Sequence, residues 1–323
     1  MTSATAAWRG ARPLVIGASG FMGTHIARAL SEAGSEVHGM TRRARGTQTA
    51  PIVMHAADLL DRAGVDRVIH EVRPTHVFNL AGRLKPQPAD SDALRRIHVD
   101  GTRILFEALR AADMRPLVFI ASSAAVYGEP EMLPVQEHAP RRTRSEYGVS
   151  KVAQEDVALA AMREHRFPVI CTRSFNLVGP GLSPELVAAQ VARDVARAEA
   201  GGAAVLRVGD LDHRRDFLDI RDAVRAFLQL AADPPADAVV NVCSGWSVPV
   251  RECVDHLVAA ARVPVKLEID RARFAGAVED IYGSTALLAS AIKWEDFIPL
   301  RHSLDDLLEE WRGRESVGSN AVA

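Results

Sequence analysis

The chain has 323 residues, 48% of them hydrophobic, enough to bury a sizeable core in one or two domains. Thirty-nine basic residues stand against 41 acidic ones, a formal net charge of −2, with the two signs interspersed; no nucleic-acid partner is expected, because phosphate neutralisation needs a positive excess on one face. The three cysteines, Cys171, Cys243 and Cys253, lie far apart in apolar surroundings and are read as reduced core thiols; no Cys or His spacing fits a metal site, so none is expected.

From Leu14 onward, short Val/Ile/Leu-rich runs alternate with longer segments of helical period, the pattern of a parallel sheet covered on both faces. Strands are expected at Pro13–Ile16, Glu36–Thr41, Ile52–His55, His76–Asn79, Leu117–Ala121, Val169–Ser174 and Val239–Val242. Helices are expected near Gly23–Gly34, Ala63–Val72, Leu94–Ala112, Glu146–His165 and Ile220–Ala232. The Ala/Arg-rich Val187–Ala204 stretch reads as a solvated helix. After Ser174 the rhythm changes at Pro180, Gly181 and Pro184, and a strand at Val265–Ile269 mixes with helices at Val250–Ala261 and Leu304–Trp311, as in a smaller second lobe. The predicted division is a dinucleotide-binding domain over 1–175, to which 214–242 returns, a substrate-binding lobe from 176–213 and 243–312, and a tail over 313–323. Both ends, Met1–Arg12 and Gly313–Ala323, are expected to fray. Neither a signal peptide nor a membrane-spanning run is recognisable, so the expected location is cytoplasmic.

Gly17-Ala18-Ser19-Gly20-Phe21-Met22-Gly23 follows the first strand and opens a helix. Gly17 permits the tight turn, Gly20 lets backbone N–H groups approach a pyrophosphate, and Gly23 allows close helix–strand packing. At the end of the second strand, where an acid commonly holds the ribose 2′-hydroxyl of NAD, stand Thr41, Arg42 and Arg43. Two guanidinium groups suit a 2′-phosphate, which favours NADP over NAD; a solvated loop is the alternative for the two arginines. Asp58, followed by Leu59, is placed either to accept from an adenine amino group or to cap the next helix.

Tyr147 and Lys151 fall one turn apart on a helical segment, so phenol and ammonium can meet, and a nearby cation is expected to lower a phenol pKa that starts near about 10. Ser123 lies just beyond the Leu117–Ala121 strand, at the edge where open parallel sheets bind ligands.

Several motifs, in order, resemble those of extended short-chain dehydrogenases, the NAD-dependent epimerase/dehydratase family. They are the Gly17 to Gly23 turn, Asn79-Leu80-Ala81-Gly82, Ser123-Ala124-Ala125-Val126-Tyr127-Gly128, Tyr147-x-x-x-Lys151, and Arg173-Ser174-Phe175-Asn176-Leu177-Val178-Gly179. Arg215-Asp216-Phe217 and Asn241-Val242-Cys243-Ser244-Gly245 bring it nearest to the GDP-4-keto-6-deoxy-D-mannose reductase-like nucleotide-sugar 4-ketoreductases.

The resemblance implies an α/β fold, a Rossmann-type doubly wound parallel sheet with a smaller C-terminal α/β substrate-binding lobe. It implies a catalytic Ser123, Tyr147 and Lys151, and a cofactor held by Gly17, Ser19, Gly20, Phe21, Met22, Gly23, Thr41, Arg42, Arg43, Asp58, Leu59, Leu80, Ala81 and Gly82 together with Tyr147 and Lys151. It implies substrate contacts from Ser122, Ser123, Asn176 and Arg215, with Arg273 and Lys85 as further candidates; structural pairing of Arg215 with Asp216 or Asp219 is the plain alternative. Dehydratases of the family resemble one another in carrying an acid directly after the serine, where Ala124 and Ala125 stand here. Together with an NADPH reader, this implies reduction of the 4-keto group of a GDP- or dTDP-linked 4-keto-6-deoxyhexose. The alternatives are an NAD-dependent nucleotide-sugar 4-epimerase and a non-catalytic dinucleotide-binding regulator. The resemblance also implies a homodimer through the helices after the fourth and fifth strands; the apolar Leu105, Leu109, Val152 and Val157 are compatible with it, and core burial explains them equally well. One departure stands out: the family usually has Asn where this chain has His98.

Overall fold

The computed structural model describes residues 7–42, 51–83, 92–202, 205–270 and 278–320. The candidate residues Arg43, Lys85 and Arg273 lie outside this set. In chain order the first half runs β1 (Pro13–Ile16), α1 (Phe21–Glu32), β2 (Val37–Thr41), β3 (Ile52–Ala56), α2 (Arg62–Val72), β4 (His76–Asn79), α3 (Gly101–Ala111), β5 (Leu117–Ser123), α4 (Glu146–His165) and β6 (Val169–Ser174). There follow β7 (Asn176–Val178), α5 (Val187–Glu199), β8 (Val205–Val208), β9 (Arg214–Arg215), β10 (Phe217–Asp219), α6 (Ile220–Ala232), β11 (Val239–Val242), β12 (Val248–Pro249), α7 (Val250–Ala259), β13 (Lys266–Ile269), β14 (Asp280–Ile281), α8 (Ala286–Ala291) and α9 (Leu300–Asn320).

The main sheet has seven strands in the order β11-β6-β5-β4-β1-β2-β3, all parallel. Strand order reverses between β1 and β4, and the crevice at such a reversal is where open α/β sheets hold ligands. β1, Pro-Leu-Val-Ile, is buried at every position, as a strand covered on both faces must be. One face carries α1 and α6, packed through Ile26, Leu30, Val224 and Phe227. The other carries α2, α3 and α4, through Val68, Leu105, Leu109 and Ala158. This is the doubly wound Rossmann-type arrangement.

The C-terminal region is built from small sheets, β13-β8, β10-β7 and β12-β9-β14, around a separate core that joins α5, α7 and α9.

Several expectations need correction. The helix after β4 is not continuous: an α-turn at Ala93–Arg95 leads into a π-helical turn at Arg96–Asp100 before α3 begins. α5 is not a solvated helix; its alanines pack inward, with Ala189, Val191, Ala192 and Val195 fully buried, because small side chains let α9 approach closely. Residues 313–320 continue α9 rather than fraying. At the other end Trp8 is 1% exposed and packs on Phe78, which anchors the chain ahead of β1. Leu105 and Leu109 are wholly buried beneath their own helix, so they serve this chain's core and cannot face another copy. Cys171, Cys243 and Cys253 are all free and buried.

Candidate active site

The first turn of α1 begins at Gly20, which has no side-chain cap, and no acid lies in that turn, so N–H groups at the positive helix end stay available to an anion. Gly17 adopts φ +84°, and a Cβ there would lie 3.2 Å from the Ala81 nitrogen. A Cβ on Gly23 would sit 2.2 Å from the Gly17 carbonyl oxygen, so the helix can reach the turn only with hydrogen at that position. The glycine turn therefore abuts Leu80 and Ala81 across the β1/β4 crevice, and its glycine backbone fits a dinucleotide's phosphates. Ser19 and Gly20 are exposed at its rim, while Phe21 and Met22 are half-buried.

At the end of β2, Thr41 is buried and Arg42 is exposed; no acid occupies the place where a 2′-hydroxyl would be read. Asp58 does not cap the next helix: its carboxylate accepts from the Leu60 N–H at 3.0 Å, and the position before α2 is Asp61. Leu59 beside it is buried, with Gly101 close against it.

The catalytic candidates converge. β5 ends on Ser123, whose hydroxyl accepts from the Ala125 N–H at 3.2 Å and so is held at the sheet edge. Ser145 caps α4 by accepting from the Gly148 N–H at 3.0 Å. That cap places Tyr147 in the first turn and Lys151 on the same face one turn later. The Ser123 side chain acts on the Tyr147 phenol and favours its ionised form. Lys151 Nζ lies 5.8 Å from the centroid of the Tyr147 ring and donates to the Ala121 carbonyl at 2.7 Å and to Gln154 Oε1 at 2.8 Å.

The electrostatics correct one expectation. Burial pushes the Tyr147 phenol above its ordinary value, with the Ser123 side chain only partly offsetting it, so Tyr147 is protonated near neutral pH. The ammonium that was expected to lower it is itself buried, at 4% exposure, and burial pulls Lys151 down to about 7 against the attraction of Glu155.

Beneath these groups lies a network that sequence reasoning missed. Arg173 makes a bidentate pair with the wholly buried Glu155, at 2.9 and 2.8 Å, and donates to the Tyr127 hydroxyl, which in turn donates to Asn241. Ser122 donates to the same carboxylate at 2.5 Å, so its hydroxyl faces inward; this corrects its assignment to substrate. The signal was present: Glu155 repeats the one-turn spacing from Lys151 that linked Lys151 to Tyr147.

In the small β12-β9-β14 sheet, Arg215 on β9 is half-buried and donates from Nη1 to the Arg214 carbonyl at 2.7 Å. Structural pairing with Asp216 or Asp219 does not occur. Asp216 accepts from Ser244, Gly245 and Gly283, and Asp219 from Arg221 and Ser303. Among the described residues Arg215 has no ion pair within 4.0 Å, and burial lowers its pKa, the mark of a cation taken partly out of water. Asn176, exposed at the start of β7, donates its backbone N–H at 3.0 Å to the carbonyl of Asp216, the neighbour of Arg215 in the chain.

The model of the "NAD dependent epimerase/dehydratase family" matches residues 13–243. GDP-6-deoxy-D-mannose reductase from Pseudomonas aeruginosa is 34% identical over 310 residues, covering 94% of this chain and 98% of its own. The solved structure of RMD from Pseudomonas aeruginosa, complexed with NADPH, superposes with a TM-score of 0.81 at 33% identity over 94% of this chain and 99% of that one. Thermus thermophilus UDP-glucose 4-epimerase, solved with NAD, gives a TM-score of 0.82 at 26% identity with the same coverage. With its glycine turn, its parallel sheet and this match over most of its length, the chain belongs to the NAD-dependent epimerase/dehydratase family.

Proposed function

We propose that this protein reduces the 4-keto group of a GDP- or dTDP-linked 4-keto-6-deoxyhexose with NADPH, Tyr147 acting as proton donor. The observation that carries the reading is the convergence of Ser123, Tyr147 and Lys151, with the Lys151 ammonium 5.8 Å from the Tyr147 ring and Ser123 acting on its phenol. A phenol kept protonated by burial is suited to give a proton rather than take one, the direction that reduction requires. When bound, the nicotinamide supplies the hydride. Ser123 orients the carbonyl oxygen, Tyr147 protonates it, and the Lys151 ammonium favours the phenolate left behind. The cofactor is held by Gly17–Gly23 at its phosphates, by Thr41 and Arg42 at its 2′-phosphate, by Asp58 and Leu59 on the adenine side, and by Leu80, Ala81 and Gly82 at the switch point.

Arg215, a half-buried guanidinium with no ion pair within 4.0 Å among the described residues, binds the sugar nucleotide's diphosphate, with Asn176 nearby. On this reading 1–175, with α6 and β11 returning to it, serves the cofactor, and the lobe whose small sheets carry Arg215 on β9 serves the substrate. Ala124 and Ala125 leave no acid directly after the serine for water elimination, and the relative that is 34% identical is a nucleotide-sugar reductase by name. The protein acts as a homodimer through the outer faces of α3 and α4, which sedimentation in solution tests.

Purified protein mixed with NADPH and a panel of GDP- and dTDP-4-keto-6-deoxyhexoses is expected to oxidise cofactor in step with sugar reduction. Absence of oxidation with every member overturns the proposal. Bound NAD that survives purification, with product formed without added reductant, assigns the chain to the epimerases instead.

A further inference from the structure

His98 occupies the π-helical turn Arg96–Asp100 and is wholly buried. Such turns depart from the regular α-helical ladder and often mark functional positions. Its Nδ1 lies 2.8 Å from Ser150 Oγ, and Ser150 Oγ donates to the Tyr147 carbonyl at 2.7 Å. A hydroxyl has one hydrogen, so the bond with the imidazole runs from Nδ1–H to Ser150. Nδ1 thus carries the ring proton, and Nε2 is left with a lone pair.

That lone pair is buried and has no partner among the described residues. Lys151 is the charge that acts on the ring, and the Tyr147 ring packs edge-on at 5.8 Å. Burial and the Lys151 ammonium push the imidazole down to about 2, so it stays neutral. A Cβ on Gly82 would lie 2.8 Å from His98 Nε2 and 3.8 Å from Lys151 Nζ, so acceptor and ammonium border one point at the crevice. Lys151 spends two N–H bonds on Ala121 and Gln154, and an ammonium has three. An acceptor and a remaining donor beside the same point match an oxygen that carries a hydrogen.

We propose that His98, as the neutral Nδ1–H tautomer, accepts a hydrogen bond at Nε2 from an oxygen shared with Lys151 beside Gly82, either a sugar hydroxyl of the dinucleotide or a water. The inference deepens the proposed function and rests on it for the dinucleotide. Its tautomer is tested without ligand or turnover, so a protein that reduces no keto-sugar still decides it.

The experiment is nitrogen NMR of protein labelled at histidine, with the His98 resonances identified by their loss in His98→Gln. Spectra are recorded between about pH 5 and pH 8, where an ordinary imidazole titrates, first alone and then saturated with NADP⁺. The expected result is a neutral Nδ1–H pattern that does not titrate. Movement of Nε2 to a hydrogen-bonded shift when NADP⁺ is added assigns the oxygen to the dinucleotide. A hydrogen-bonded Nε2 already present in the free protein and unmoved by NADP⁺ assigns it to water. An Nε2–H tautomer, protonation within that range, or an Nε2 that resonates as a free lone pair in both states overturns the proposal.

Discussion

Arg173 in the main sheet and Arg215 in the small β12-β9-β14 sheet are used in opposite ways. Beneath β5 and β6, Arg173 is 4% exposed and fully engaged: Glu155 takes two of its N–H bonds, Tyr127 and the Glu137 carbonyl take others, and Ser122 and Arg141 complete the carboxylate's shell. On β9, Arg215 is half-buried and offers most of its donors to nothing among the described residues beyond one carbonyl. A saturated buried ion pair fixes geometry and resists change, because removing either partner strands the other in a low dielectric. An unsaturated cation on a rim costs less to keep and gains most when an anion arrives. On the proposed function, the contrast separates a saturated floor beneath Ser123, Tyr147 and Lys151 from an unsaturated arginine offered to substrate.

Substitutions on each side sharpen it. The largest effect is expected at the catalytic edge itself: Tyr147→Phe should lower kcat by roughly 10²–10⁴-fold, the contribution of a positioned general acid, while the melting temperature stays near that of the parent. A variant with parental turnover would remove Tyr147 from the reaction.

Next comes the floor. Glu155→Ala strands the buried Arg173 and should cost about 3–5 kcal/mol of stability, read by urea denaturation; a loss below 1 kcal/mol would show that water enters and the network is dispensable. In the small sheet, Arg215→Met keeps the aliphatic stem and should raise KM for the sugar nucleotide by roughly tenfold or more, as expected for a lost hydrogen bond to a charged group. Stability should be unchanged there, since no ion pair is broken, and a destabilised Arg215→Met protein would erase the distinction between the two arginines.

The smallest effect is in pH. Lys151 is pulled down to about 7, so its ammonium predominates below that pH and is lost above it. kcat/KM, which reports the free protein, should therefore fall as pH rises through about 7, up to about tenfold per unit. Tyr147, whose pKa is raised, stays protonated across the same range. A profile flat from about pH 6 to pH 8 would mean that the charge on Lys151 is not needed.

Much of the fold was legible because its strands are apolar on both faces and its helices keep a 3.6-residue period. Pro13–Ile16, His76–Asn79, Val169–Ser174, Glu146–His165 and Ile220–Ala232 occur with the predicted bounds. Where period and packing part company, sequence reading failed. α5 is rich in arginine and alanine and looked solvated, yet alanine is what close helix packing selects. The π turn at His98 left no mark in hydrophobic spacing, since it alters the hydrogen-bond ladder without changing which residues are apolar.

The sequence by itself determined which groups are present and on which local element: a glycine turn between strand and helix, a serine at a strand end, and a tyrosine and lysine one helical turn apart. Tertiary structure alone decided what those groups can do. It set Ser123 against Tyr147 and buried Lys151 until its charge became titratable near neutrality. It turned Ser122 inward to Glu155 and left Arg215 without an ion pair among the described residues. The physical reason is that local propensity and spacing act along the chain, whereas desolvation and the competition for hydrogen-bond partners depend on residues distant in sequence that only folding brings together.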